Sequence, residues 1–146
     1  MEYFKSFYKN DSIKKYFSDT LFGRARTGIG HAYIFEGPLG SGKLTFARLV
    51  AAALECEVDM RSVSHLPCES CRSCRNIIAG NSPDVTVVER DGASIGVDAV
   101  RKIKEDIYLS STESKYKIYA IREAERLTEE AQNALLIFLE IGRAHV

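Results

Sequence analysis

Gly37-Pro38-Leu39-Gly40-Ser41-Gly42-Lys43-Leu44-Thr45 is the stretch on which the fold turns. Its glycines and lysine have the spacing of a phosphate-binding P-loop, in which backbone N–H groups and a helix N-terminus surround an anion. Glycine lets the backbone come close and take positive φ, and Lys43 brings a point charge toward the β- and γ-phosphates. The flanks agree. Ala32-Tyr33-Ile34-Phe35 predicts a short apolar strand over His31 to Glu36, and an Ala- and Leu-rich helix is expected near 43–54. Strand, glycine-rich loop, helix is the context the motif requires. The residues assigned to a nucleotide are Gly37, Gly40, Gly42, Lys43 and Thr45.

Two positions argue against catalysis. Leu44 stands where a Ser or Thr would hold Mg²⁺, and Thr45, one residue on, lies about 100° further round a helix and is no equal substitute. Further along, Ile118-Tyr119-Ala120-Ile121 reads as an apolar strand that should end in a metal-binding Asp, and Arg122 stands there instead. A guanidinium repels the ion that a carboxylate would attract. Both losses strike the same Mg²⁺, which neutralises phosphate charge in the transition state. Glu123 remains where an acid would orient water. Without a held metal it reads as a solvated glutamate, and no catalytic residue is assigned. The residues leave ATP binding open and disfavour hydrolysis.

The second constellation is Cys68-x2-Cys71-x2-Cys74, with Cys56 far enough upstream to fold back as a fourth donor. Four thiolates give Zn²⁺ a closed tetrahedral shell with no open position, hence a structural site. Such a site contributes on the order of 10 kcal/mol to folding a segment with little core. Free thiols, a disulfide pair and an iron–sulfur cluster are the alternatives; in a reducing compartment clustered cysteines read as metal ligands before disulfides. His65 lies nearby, but four cysteines already fill the shell, so it reads as a loop histidine.

The rest of the chain reads as alternating helix and strand. A helix is expected over 11–22, with Asp11 as N-cap and Ile13, Tyr16, Phe17 and Leu21 on one face. Residues 23–30 are a basic glycine-containing loop. A strand is expected over Asp84 to Glu89, a turn over Asp91 to Gly96, and a helix over 97–109. A polar loop follows over Ser110 to Ser114, then a strand over Lys117 to Ile121 and a helix capped by Thr128. Alternation of this kind predicts an α/β fold with a parallel sheet, and the sheet reads as incomplete, a C-terminally truncated domain. The 146 residues carry formal net charge +0, with 45% hydrophobic and 27% charged residues. No global field draws such a chain to nucleic acid, and Glu55, Glu57, Asp59 and Glu69 offset Arg61, Arg72 and Arg75 around the cysteines, against a nucleic-acid-binding zinc ribbon. No run approaches the ~20 apolar residues of a membrane helix and the first residues lack a signal-peptide pattern, so a cytoplasmic location and no membrane partner are expected. An unrelated P-loop kinase with a zinc clip would need an acid–base constellation that the sequence does not offer.

In combination, His31-Ala32-Tyr33-Ile34-Phe35-Glu36-Gly37-Pro38, Lys43, the cysteine cluster, Ser82-Pro83-Asp84-Val85 and Ala131-Gln132-Asn133-Ala134-Leu135-Leu136 resemble the N-terminal AAA+ domain of bacterial DNA polymerase III clamp-loader subunits. The resemblance covers roughly residues 12–140. It implies a P-loop NTPase sheet with helices on both faces and a small zinc module inserted at about 55–80. Two subunit types share these motifs: the gamma/tau type, an ATP-hydrolysing motor, and the delta-prime type, with degenerate ATPase motifs. Leu44, Arg122 and the stretch Ile95-Gly96-Val97-Asp98-Ala99-Val100-Arg101 are similar to the delta-prime type. The implied function is a non-hydrolysing scaffold subunit that helps load the sliding clamp on primed DNA; the gamma/tau motor is the alternative. The implied partners are the gamma/tau and delta subunits and, through the assembly, the sliding clamp and primer–template DNA. After Glu140 the family pattern stops, and Ile141-Gly142-Arg143-Ala144-His145-Val146 reads as a non-native tail, similar to a translated library adapter.

Overall fold

The structure is a computed structural model that describes residues 2–8, 10–22, 32–58, 64–109 and 116–144. The loops expected over 23–30 and 110–114, and His31, lie outside the described residues. The chain forms two compact units, residues 1–30 with 34–85 and residues 31–33 with 86–146.

The first unit is built on aromatic side chains. Strand β1 (Glu2–Tyr3) is followed by helix α1 (Asp11–Phe22) and helix α2 (Lys43–Glu55), then strand β2 (His65–Leu66) and helix α3 (Arg72–Ala79). The periodicity of α1 places Phe17 in the core, with Ile13 and Leu21 packed against it, but Tyr16 is exposed, contrary to the single face expected from sequence. The cap also moves by one residue. Asn10 Oδ1 accepts from the Ile13 N–H at 3.3 Å and Asp11 is the first helical residue, where its charge suits the positive helix end. Phe46 on α2 is the hub. Its ring centroid lies 5.2 Å from Phe4, 4.9 Å from Phe7, 5.5 Å from Phe17 and 5.9 Å from Phe35, all tilted or edge-on. Each such pair adds about 0.5–1.5 kcal/mol beyond area burial.

Ala53 joins the aromatic cluster, and away from that cluster α2 buries the small residues Ala51 and Ala52. Small side chains let α3 come close enough for the Cys74 thiol to donate to the Ala52 carbonyl at 3.7 Å. Helix α3 ends on Gly80 in the left-handed region (φ 82), whose N–H returns to the carbonyls of Asn76 and Ile77. A β-carbon there would sit 3.3 Å from an Arg48 guanidinium nitrogen. Strand β1 pairs in parallel with β2, Glu2 opposite His65 and Tyr3 opposite Leu66.

Residues 32–36 do not form the strand expected before the glycine loop; among the described residues no ladder includes them. An apolar run supplies side chains for a sheet but not the neighbour whose N–H and C=O groups make it a strand. Phe35 turns into the aromatic cluster, and Ile34 beside it is 85% exposed.

Most of the second unit follows the predicted order: strand β3 (Val85–Val88), whose first residue groups with the first unit, helix α4 (Val97–Leu109), strand β4 (Ile118–Ile121), a 3₁₀ turn (Ala124–Arg126) and helix α5 (Glu129–Ala144). Strands β3 and β4 are hydrogen-bonded neighbours. Asp91 and Ser94 close the expected turn. Ile95, Val100, Ile103 and Ala131 are buried. Ile95 is pinned on both sides, its N–H to Arg126 O at 2.9 Å and its carbonyl to the Thr128 N–H at 3.0 Å. Thr128 caps α5 as expected, its Oγ1 accepting from the Ala131 N–H at 3.1 Å. The chain is therefore α/β with a small parallel sheet. No described helix is long and apolar enough to cross a membrane.

Candidate functional site

The glycine-rich loop and the cysteines occupy the two ends of α2. At the N-terminal end Gly42 is the cap, with φ 87 and ψ 23, and its carbonyl accepts the Phe46 N–H at 2.9 Å. An L side chain rarely adopts that backbone, and a β-carbon there would also meet the Phe7 ring at 3.1 Å. Gly40 shares the left-handed conformation, and the Ser41 N–H donates to Pro38 O at 3.2 Å. Lys43 does not point away from this loop. Its ammonium donates to the carbonyls of Gly37 and, at 3.2 Å, Pro38. Leu44 is half-buried and Thr45 is exposed. Gly37, Gly40 and Gly42 thus lie on one loop that runs into α2, Lys43 reaches back to it from the first helical position, and Thr45 is on the exposed surface of the same helix.

At the C-terminal end the C-cap residue of α2 is Cys56. The sulfurs of Cys56, Cys68, Cys71 and Cys74 all lie within 4.8 Å of one another. Cys68 and Cys74 are buried, their sulfurs 3.9 Å apart. The local turns follow from the spacing. The Cys71 N–H donates to Cys68 Sγ at 3.2 Å, and Cys71 Sγ caps α3 by accepting from the Cys74 N–H at 3.4 Å. Burial raises the Cys74 and Cys56 thiols above their ordinary value. Burial also opposes ionisation of Cys68, but the backbone N–H groups of Cys71 and Ser70 outweigh it and bring that thiol down to about 6. Amides aimed at sulfur favour a thiolate. A regular tetrahedron with metal–sulfur bonds of ~2.3 Å has edges of ~3.8 Å, and the cluster fits that size; disulfide sulfurs would stand at ~2.05 Å. The donor set suits Zn²⁺, which would cross-link α2, β2 and α3. His65 turns away to the Pro67 carbonyl, Nδ1 at 3.1 Å.

In the second unit Arg122 follows β4 directly, its N–H donating to Val88 O at 2.9 Å, so it occupies the strand end read from the sequence. Its guanidinium pairs with Glu89 at 2.7 Å. Glu123 pairs with Arg90 at 3.2 Å and has left-handed backbone, φ 54. Two strand ends therefore exchange two ion pairs, and Arg122 and Glu123 each have a charged neighbour. The sequence reading missed Glu89 and Arg90. The signal available was their place at the end of the Asp84 to Glu89 run, with charges opposite to Arg122 and Glu123.

The family described as DNA polymerase III, delta subunit, matches residues 12–145. The chain is similar to DNA polymerase III subunit delta' of Bacillus subtilis, 41% identical over 112 residues, which cover 77% of this chain and 33% of that protein. It is also similar to DNA polymerase III subunit gamma of Buchnera aphidicola, 39% identical over 119 residues, 81% of this chain and 31% of the relative. DNA polymerase III subunit tau of Bacillus subtilis is 40% identical over 118 residues, 80% of this chain and 20% of the relative. The chain spans a third or less of the length of these relatives.

Proposed function

Because this chain belongs to the DNA polymerase III delta-subunit family, we propose that it is part of a clamp-loader subunit of the delta-prime type, a scaffold that does not itself turn over ATP. The observation that carries this reading is Arg122. It stands at the end of β4, where a hydrolysing subunit would offer a carboxylate to Mg²⁺, and it is held there by Glu89 at 2.7 Å. Leu44 removes the other metal ligand from the same ion. Glu123, paired with Arg90, has no water-orienting task without that metal.

In this reading residues 1–140 form an AAA+ domain with helices on both faces of a parallel sheet, a zinc module lies at about 55–80, and residues 141–146 are a non-native tail. Cys56, Cys68, Cys71 and Cys74 hold a structural Zn²⁺. Gly37, Gly40, Gly42, Lys43 and Thr45 form a vestigial nucleotide site. The partners are gamma/tau and delta subunits and, through the assembly, the sliding clamp and primed DNA, in the cytoplasm. The comparable identity to gamma and tau proteins, 39% and 40% against 41% for delta', favours a second reading, an ATP-hydrolysing motor.

ATP binding and turnover with Mg²⁺, measured on the intact protein beside Lys43→Ala, separate the two. The scaffold reading expects no turnover in either form, and any binding to fall in the variant. Turnover that depends on both Lys43 and Mg²⁺ would make the chain a motor.

A further inference from the structure

We propose that metal occupancy of the cysteine cluster holds the glycine-rich loop in shape through the N-terminal segment, so that residues 2–7 are a strap between the two ends of α2. The inference rests on the reading of the cluster as a zinc site.

The route is continuous and short. Strand β2 ends at Leu66, two residues before Cys68. On it lies β1, and the Phe4 N–H extends the ladder by donating to Leu66 O at 2.7 Å. Phe4 is 0% exposed and packs at a tilt against Phe46. The chain then turns, the Phe7 N–H donating to Phe4 O at 3.0 Å, and the Phe7 ring reaches the Gly42 backbone. Gly42 caps the helix whose first residue is Lys43.

Each link is too weak to stand alone. A two-residue strand pair has no independent stability in water. The position of β2 depends on what fixes Cys68, and four thiols gathered within 4.8 Å are fixed by a shared ion. Without that bond β2 loosens, β1 loses its template, and Phe7 leaves the face of Gly42. The strap thus has a docked and an undocked state, and the metal biases the two, as coupling between distant sites requires.

Hydrogen exchange on the intact protein tests this, zinc-loaded and after stripping by a chelator, with released zinc measured colorimetrically. The expected result is loss of zinc together with faster exchange, by about tenfold or more, at the hydrogen-bonded amides of Phe4, Phe7, Ser41 and Phe46, while α4 and α5 are unchanged. Zinc loss with acceleration confined to residues 64–79 would overturn the strap. A protein that takes up no zinc would overturn both the strap and the zinc reading, and the metal assay reports that before any exchange is measured. Phe7→Ala leaves every thiol in place. It is expected to keep its zinc, to exchange rapidly at Ser41 and Phe46 even when loaded, and to show no further change there on stripping. A loop in that variant that still responds to zinc would place the route elsewhere.

Discussion

At one end of α2 four sulfurs converge within 4.8 Å, two of them out of solvent; at the other, a lysine that could meet phosphate donates instead to the carbonyls of its own loop. Both ends carry a recognisable sequence motif, complete in the cysteines and short of one side chain in the glycine loop, and the same helix presents both. They differ in what the motif needs from elsewhere. The cysteines bring a complete donor set, so local turns suffice to assemble it. The glycine loop needs an oxygen at position 44 and a carboxylate after β4, and the chain offers Leu44 and Arg122. A motif whose chemistry is local survives in a short chain; one whose chemistry is shared between distant segments is lost when either partner changes.

Stripping the metal should have the largest effect. Zinc removal, or Cys74→Ala, is expected to abolish metal binding and to lower the melting temperature by more than about 10 °C; an unchanged melting curve would break the contrast by making the cysteine end as dispensable as the other. Next comes the aromatic hub in the first turn of α2. Phe46→Ala, which empties the centre of four aromatic contacts, should cost about 3–5 kcal/mol in urea unfolding. Gly42→Ala is smaller and confined to the loop. Strain at φ 87 and the Phe7 ring at 3.1 Å predict a loss of about 1–3 kcal/mol, with zinc content unchanged.

The smallest effect lies in the second unit, as a control. Asp106 accepts hydrogen bonds from Tyr119 and Lys117. The Tyr119 bond first, then Lys117, hold its carboxyl below the ordinary 3.8. A group depressed in the folded state contributes fully above its unfolded value and fades as pH falls through the folded one. Asp106→Asn should therefore cost a little stability near neutrality, and its difference from the parent protein should vanish as the pH falls below 3.8 through the folded value. A neutral-pH loss matching that of Gly42→Ala would show that this exposed pair matters more than its solvent screening allows.

Long elements were legible because periodicity repeats over many residues, even where the cap shifts, as in α1 from Asp11 to Asn10. The helices α1, α2 and α4 and the Thr128 cap lie where the sequence placed them. Short elements were not. Helix α3 has eight residues, and its buried face includes Cys74, which the sequence reading had assigned only to metal. Strand β1 has two residues and no period, and its pairing with β2 reveals it. Residues 32–36 show the converse, an apolar run without a ladder. At the sites, the cysteine grouping follows from spacing alone. The pairs of Arg122 with Glu89 and Glu123 with Arg90 join residues some thirty apart, where opposite charges at two strand ends are a signal that does not by itself fix which strands are neighbours.

The Lys43 contacts have a thermodynamic consequence. An anion reaching this loop competes with Gly37 and Pro38 for the same ammonium. It meets a receptor that is competent only for the fraction of time that the lysine is released, and its apparent dissociation constant is the intrinsic one divided by that fraction. A loop open one part in about ten would look about tenfold weaker with every phosphate contact otherwise intact. Affinity here is then a question of occupancy of an internal competitor, and a substitution that lengthens the lysine's stay on its own carbonyls would weaken the site without touching a single group that a phosphate binds.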